Sequence, residues 1–307
     1  MTDGGPILVT GAHRSGTTWV GKMLALAPGV GYIHEPFSPR TPAGLSPAPF
    51  ERYFTVVTER NEERYLPGLT ETLAFQYDWG AELHTLRGPR DALRALRDSG
   101  RSARSQWARA RPLVKDPIAL LSAEWLAERF GMEVVVLIRH PAGFAGSVTR
   151  LGFRHDFGSF LVDGEVPELL RPYEREIVSF ARAPGDALEE AALLWRILYG
   201  TVAGYRERHA DWVFLRHEDA CADPGGTFER LYSRLGLELT PSARGRIEEA
   251  SSSDNPVAAD ASAPHAVDLD TARAAESWRT IFEPDEIALL RERTRDVWPL
   301  FYSDDDW

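Results

Sequence analysis

Ile7-Leu8-Val9-Thr10-Gly11-Ala12-His13-Arg14-Ser15-Gly16-Thr17-Thr18-Trp19-Val20-Gly21-Lys22-Met23-Leu24-Ala25-Leu26 is the stretch whose reading decides the fold. The apolar run Ile7–Val9 stops at Gly11, and Trp19, Val20, Met23, Leu24 and Leu26 then recur at helical spacing. Strand, tight loop and helix start follow in close succession. Such a junction holds anions, because loop N–H groups converge and the positive end of the helix dipole faces them. Arg14 adds a forked cation, and Ser15, Thr17 and Thr18 add neutral hydroxyl donors.

Gly11 and Gly16 have the separation found in the nucleoside-triphosphate loop G-x-x-x-x-G-K-[ST], but Thr17 stands where Lys is required, and the cation sits inside the loop at Arg14. Taken alone, the loop also suits a glycine turn capped by hydroxyls, with Trp19 in the core. The run Arg14-Ser15-Gly16-Thr17-Thr18-Trp19 after a buried strand resembles the 5′-phosphosulfate loop of sulfotransferases that use 3′-phosphoadenosine-5′-phosphosulfate (PAPS), in their soluble bacterial form. The resemblance implies that the basic residue and hydroxyls hold the 5′-phosphate and the sulfuryl bridge, and that Trp19 stacks on adenine.

A second motif points the same way. Glu133–Ile138 is an unbroken, β-branched run of the kind found in a buried parallel strand. It ends in Arg139-His140-Pro141, and a helix through Ala142, Phe144, Ala145, Ser147 and Val148 follows. A P-loop kinase often ends such a strand with a metal-holding Asp; Arg139 suits a phosphate instead. Arg139 and Ser147 stand eight residues apart and resemble the family's 3′-phosphate site, in which a strand-end Arg and a Ser on the next helix bind one group.

Between these motifs lie the candidates for proton transfer. Gly31-Tyr32-Ile33 reads as a short strand, and Pro36, Pro39 and Pro42 forbid helix after it, so Glu35 falls at a strand end or in a loop. Chemistry in an open α/β sheet collects beyond the carboxyl ends of the strands. Glu35 lies 21 residues after Arg14, and the tyrosylprotein branch of the family has a catalytic Glu at a similar offset, which makes Glu35 the first candidate for general base. As a loop carboxylate it would also suit a helix cap or an arginine partner. Pro112–Lys115 reads as a third strand that delivers Lys115 and Asp116 to the same edge. The soluble branch places Lys-Thr-His there, with His as base; this chain has no His at that point. Asp116 is the second candidate base or a helix cap, and Lys115 is a point charge for sulfuryl oxygens or a salt-bridge partner.

The resemblance implies an α/β fold: a P-loop-like parallel sheet flanked by helices, with helical insertions. Length suits one domain over residues 1–307. Residues 40–111 read as a helical insertion in which Asp91–Arg97 is a helix with its arginines outward. Its aromatics Phe50, Tyr53, Phe54, Tyr65, Phe75, Tyr77 and Trp79 either wall an acceptor pocket or form the insertion's own small core. The small, polar, prolyl stretch within 250–277 reads as a flexible loop. Arg279 is the candidate for the basic segment with which the family commonly closes over its nucleotide.

Composition narrows the partners. Acidic residues outnumber basic ones 46 to 35, for a net charge of −11, and no basic block appears, which argues against nucleic acid. The single cysteine, Cys221, precludes an internal disulfide, and no apolar run approaches a membrane span, so a cytoplasmic setting is expected. No metal-ligand spacing appears. The expected activity is sulfuryl transfer from PAPS, released as adenosine 3′,5′-bisphosphate, to a hydroxyl or amine of a small-molecule, lipid or glycan acceptor, without metal. A P-loop small-molecule kinase and a non-catalytic adenosine-bisphosphate binder are the alternatives.

Overall fold

The computed structural model describes residues 4–257 and 267–307. Its elements run β1 (Ile7–Gly11), α1 (Thr17–Leu24), β2 (Val30–His34), α2 (Leu66–Leu73), α3 (Trp79–Leu83), α4 (Pro89–Trp107), β3 (Arg111–Lys115), α5 (Ala123–Phe130), β4 (Glu133–Ile138) and α6 (Pro141–Arg150). After these come α7 (Glu174–Arg182), α8 (Ala187–Arg208), β5 (Val213–Arg216), α9 (His217–Ala222), α10 (Pro224–Arg234), α11 (Pro241–Ala250), α12 (Thr271–Glu276) and α13 (Pro284–Arg293).

The five strands form one parallel sheet in the order β2-β3-β1-β4-β5. From β1 the chain crosses to the edge strand β2, comes back to place β3 between the two, then passes to the other side of β1 for β4 and β5. The order therefore reverses at β1, where a crevice opens beyond the strand ends. Side chains alternate across the sheet. Leu8, Val114, Val134, Val136 and Ile138 enter one core with α5, α6 and α8; Ile7, Val9, Leu113, Val135 and Leu137 enter the other with α1 and α10. Burial on both faces accounts for the unbroken apolar runs of β1 and β4.

Two expectations change in detail. Helix α4 covers the predicted 91–97 segment, but its outer face carries Leu93 and Leu96 as well as Arg97 and Arg101. The helix instead turns Ala95, Asp98 and Ser102 inward, where Arg94 binds Glu82 of α3 at 2.5 Å and stands 3.9 Å from Asp98. Small and ion-paired residues fit that close contact better than leucine does. Of the expected flexible loop, 258–266 lie outside the described residues, whereas Thr271–Glu276 are helical, with the Asp270 carboxylate accepting the Arg273 N–H at 3.1 Å. Among the described residues no helix is long and apolar enough to cross a membrane.

Candidate active site

Beyond β1 the chain makes a closed turn. The Ser15 N–H and Oγ–H both donate to the carbonyl of Ala12, at 3.2 and 2.5 Å, and Gly16 takes a left-handed φ of 89° to start α1. A β-carbon on Gly16 would meet the His217 Nδ1 at 2.6 Å, so glycine is needed here for both conformation and space. The turn leaves Gly16, Thr17 and Thr18 lining a cavity of about 620 Å³ and presents Arg14, itself left-handed at φ 65°, to the same space.

Arg139 reaches this loop from the end of β4. Its backbone is clamped by α8: its N–H donates to the Tyr199 hydroxyl at 3.0 Å, and its carbonyl accepts the Trp195 indole N–H at 2.8 Å. With the main chain fixed, the guanidinium Nη1 donates to the carbonyl of Arg14. Its Nε is buried with no hydrogen-bond partner among the described residues. From α6, the Ser147 hydroxyl accepts the Arg14 Nε–H at 3.1 Å. Arg14, Arg139, Ser147 and Arg150 all line the one cavity. Burial, then the charges of Arg139 and Arg150, lower the Arg14 pKa to about 10. Burial also lowers that of Arg139. The guanidiniums thus repel one another, and an anion between them would relieve the repulsion.

The other wall is built around Glu35. Its N–H donates to the Lys115 carbonyl at 2.9 Å, extending the β2–β3 ladder by one step before the chain turns at φ 47°. The Glu35 carbonyl accepts from the Ser38 N–H at 3.0 Å and the Thr41 hydroxyl at 2.6 Å, which fixes this left-handed residue in place. Its carboxylate lines the cavity and is ion-paired with the Lys115 ammonium. Lys115 is fully buried and passes over Gly21, where a β-carbon would come 2.8 Å from its Cγ. Burial lowers the Lys115 pKa, and Glu35 opposes that shift.

A sequence model of the sulfotransferase family matches residues 6–241. The chain belongs to the sulfotransferase family. Solved structures to which it is similar include the sulfotransferase domain of the Synechococcus PCC 7002 olefin synthase, at 20% identity over 95% of each chain and TM-score 0.44. Others are the sulfotransferase domain of the curacin biosynthetic pathway, at 16% identity over 96% of this chain and 99% of that one with TM-score 0.48, and STF1 of Mycobacterium tuberculosis H37Rv, at 16% identity over 95% and 77% with TM-score 0.44. No curated protein matches in sequence.

Four of the residues named from the sequence do not line the cavity. The Ser15 hydroxyl is consumed by the Ala12 carbonyl, so it shapes the loop and does not line the cavity. Lys115 does not line it either; the ammonium ends on Glu35. Asp116 points to the opposite side of β3 from its neighbour, as strand alternation requires. There it accepts the N–H groups of Phe37 at 2.7 Å, Ile118 at 2.8 Å and Ala119 at 3.2 Å. It anchors the chain after β2 and β3, and burial raises its pKa to about 7. Arg279 lies over the Trp278 ring at 4.4 Å, pairs with Glu276 at 2.5 Å and lines a separate, smaller pocket with His140 and Tyr302. From that part of the chain it is Thr271, Ala274 and Ser277 that reach the main cavity. Trp19 lines the cavity but is buried edge-to-face against Phe228, with ring centroids 5.2 Å apart.

The remaining lining residues come from other segments of the chain. Of the 40–111 aromatics, Tyr53 and Phe54 line the cavity while Phe50 and Tyr65 pack in the core; Phe153 and His155 come from the loop after α6, and His13 from the turn after β1. His13 packs among Phe54, Phe144 and Phe153, and burial lowers its pKa to about 3. His155 is lowered to about 4, also by burial. Both imidazoles are neutral near pH 7.

Proposed function

We propose that this chain transfers a sulfuryl group from PAPS to a hydroxyl or amine of a small-molecule, lipid or glycan acceptor. The observation that carries the proposal is the convergence of Arg14, Arg139 and Ser147 on one cavity, with the Arg14 Nε 3.1 Å from the Ser147 Oγ. A donor bearing anions at both ends of one adenosine needs two adjoining anion sites. The buried, unpartnered Nε of Arg139 and the crowding of like charges around Arg14 fit such a ligand.

Arg14, Gly16, Thr17 and Thr18 would hold the 5′-phosphosulfate end, Arg139 and Ser147 the 3′-phosphate, and Trp19 a border of the adenosine. When bound, PAPS supplies an activated sulfuryl group whose leaving group is adenosine 3′,5′-bisphosphate. Glu35 accepts the proton of the attacking hydroxyl, and Lys115 keeps Glu35 ionised and aimed. Arg14 and the N–H groups at the start of α1 stabilise charge as it grows on the departing oxygen. A cytoplasmic setting accords with this donor chemistry.

Calorimetry with adenosine 3′,5′-bisphosphate and with ATP tests the proposal. Wild type should prefer the bisphosphate, and Arg139→Ala should lose that preference. Equal binding of the two nucleotides would discard the donor assignment. Turnover that persists in excess chelator separates sulfuryl transfer from a Mg²⁺-dependent kinase.

A further inference from the structure

Part of the cavity lining has a distinct chemistry. Pro42, Leu45, Tyr53, Phe54, Leu151 and Phe153 make it apolar. His13 and His155 line it as neutral rings. Among the described lining residues Glu35 is the only acid, and Lys115 already neutralises it. A cationic acceptor would therefore enter a space with four lining arginines and no carboxylate left to receive it.

One of those arginines, Arg40, is placed unlike the other three. Arg14, Arg139 and Arg150 gather at the donor end, where Arg139 and Arg150 both act on the charge of Arg14. Arg40 stands on the wall that carries Glu35, five residues along the same tightly bonded turn. Its N–H donates to the Ser38 Oγ at 3.3 Å, and the next residue, Thr41, donates from its N–H to Ser38 at 3.0 Å and from its hydroxyl to the Glu35 carbonyl at 2.6 Å. The Cα of Arg40 is thus held at a fixed offset from the proposed base. Its guanidinium forms no ion pair with any described residue, in a chain where acids outnumber bases 46 to 35 and most arginines are paired. Arg40 is exposed at the rim, whereas the Glu35 side chain is only 19% exposed.

We infer that Arg40 anchors an acidic group on the acceptor. The acceptor is then a hydroxy compound with an apolar body: its hydroxyl meets Glu35 at depth, the body lies against Tyr53, Phe54 and Phe153, and a carboxylate or other anion meets Arg40 at the rim. A guanidinium suits this job because it pairs with a carboxylate through two parallel N–H donors. The inference rests on the sulfuryl-transfer proposal for the same cavity and adds the acceptor's charge to it.

The test uses two sets of alcohols that differ only in tail charge, with the whole protein saturated with adenosine 3′,5′-bisphosphate. One set is 3-(4-hydroxyphenyl)propionate, 4-propylphenol and 3-(4-hydroxyphenyl)propylamine. The other is 8-hydroxyoctanoate, 1-octanol and 8-amino-1-octanol. In at least one set the anionic member should bind about tenfold more tightly than the neutral one, the low end for a charge-assisted pair, and the cationic member more weakly still. Arg40→Gln should erase that order without changing affinity for the bisphosphate, and Arg40→Lys should restore part of it. Equal binding across charges, no binding in either set, or an anion preference that survives Arg40→Gln would overturn the inference and leave the donor proposal standing. Failure of the bisphosphate itself to bind would remove both.

Discussion

The Nε–H of Arg14 donates to the Oγ of Ser147 at 3.1 Å, joining the turn after β1 to the middle of α6 across 133 residues of sequence. The contact makes the loop motif and the strand-end motif parts of one surface. A substitution at either should be felt at both. Ser147→Ala removes one charge-assisted hydrogen bond and should weaken bisphosphate binding about tenfold or more. Arg14→Ala removes a donor aimed at developing charge and should lower turnover by about two to three orders of magnitude. Thermal unfolding of the ligand-free protein separates these effects from damage to the fold. Repulsion from Arg139 and Arg150 offsets part of what the Arg14 hydrogen bond to Ser147 contributes, so Arg14→Ala should lower the apo melting temperature only slightly. It should also abolish the stabilisation that wild type gains from the bisphosphate. An apo protein that melts markedly lower would mean that Arg14 is structural.

Glu35 and Lys115 make separable predictions. Glu35→Gln keeps the shape of the side chain but removes the base, so turnover should fall by about 10²–10⁴ with bisphosphate affinity intact. Lys115→Met removes the neighbouring cation and leaves the carboxylate in place. Its turnover should recover as pH rises, with the acid limb of the rate profile displaced to higher pH, because the carboxylate has lost the charge that favoured ionisation. A Lys115→Met enzyme that is slow by the same factor at every pH would show the lysine acting only through packing beside Gly21.

The sheet and the placement of the two motifs at its strand ends were legible in the sequence because each depends on local spacing. The apolar runs of β1 and β4 are buried on both faces, and a glycine or an arginine ends each one. Strand alternation was also available for Lys115 and Asp116, and it separates them: adjacent residues of β3 face opposite sides of the sheet. Which of the two sides held Glu35 depended on how β2 pairs with β3, a contact between residues 80 apart in sequence. Arg279 had no such geometric rule. Its position follows from the packing of Trp278 on His140, with ring centroids 4.9 Å apart. The apolar wall was legible only as an alternative: the sequence left Tyr53 and Phe54 open between pocket wall and core, and the choice depends on two long connections that both line one cavity.

The glycines provide a control for the loop. Gly16 and Gly29 both have left-handed φ, 89° and 77°, so alanine at either should cost about 1–2 kcal/mol of conformational strain. At Gly29 a β-carbon meets nothing within 4 Å; at Gly16 it meets the His217 ring. Gly29→Ala should therefore lose stability alone, with bisphosphate affinity unchanged. Gly16→Ala should lose affinity as well, since the turn that carries Arg14 must shift to clear His217. Equal affinity in the two variants would show that the turn does not need its present shape to bind the donor.

Acid stability follows from four histidines, His140 and His217 buried and His13 and His155 partly so. Burial lowers His13 and His140 to about 3 and His155 to about 4, and it lowers His217 well below its usual value. Each is neutral in the fold, whereas the unfolded chain protonates its histidines near pH 6.5. Between pH 6.5 and about 4 the unfolded state therefore binds more protons, and stability falls as pH falls. Each such histidine contributes a slope of about 1.4 kcal/mol per pH unit, so four together should make the denaturant midpoint drop steeply below pH 6.5. His140 allows the effect to be isolated. Its ring stacks on Trp278 and neither ring nitrogen has a hydrogen-bond partner among the described residues, so His140→Phe should keep the packing and remove one titrating group. Proton uptake on unfolding at pH 5 should then decrease by about one relative to wild type. Equal uptake in the two proteins would mean that His140 already carries its proton in the folded state.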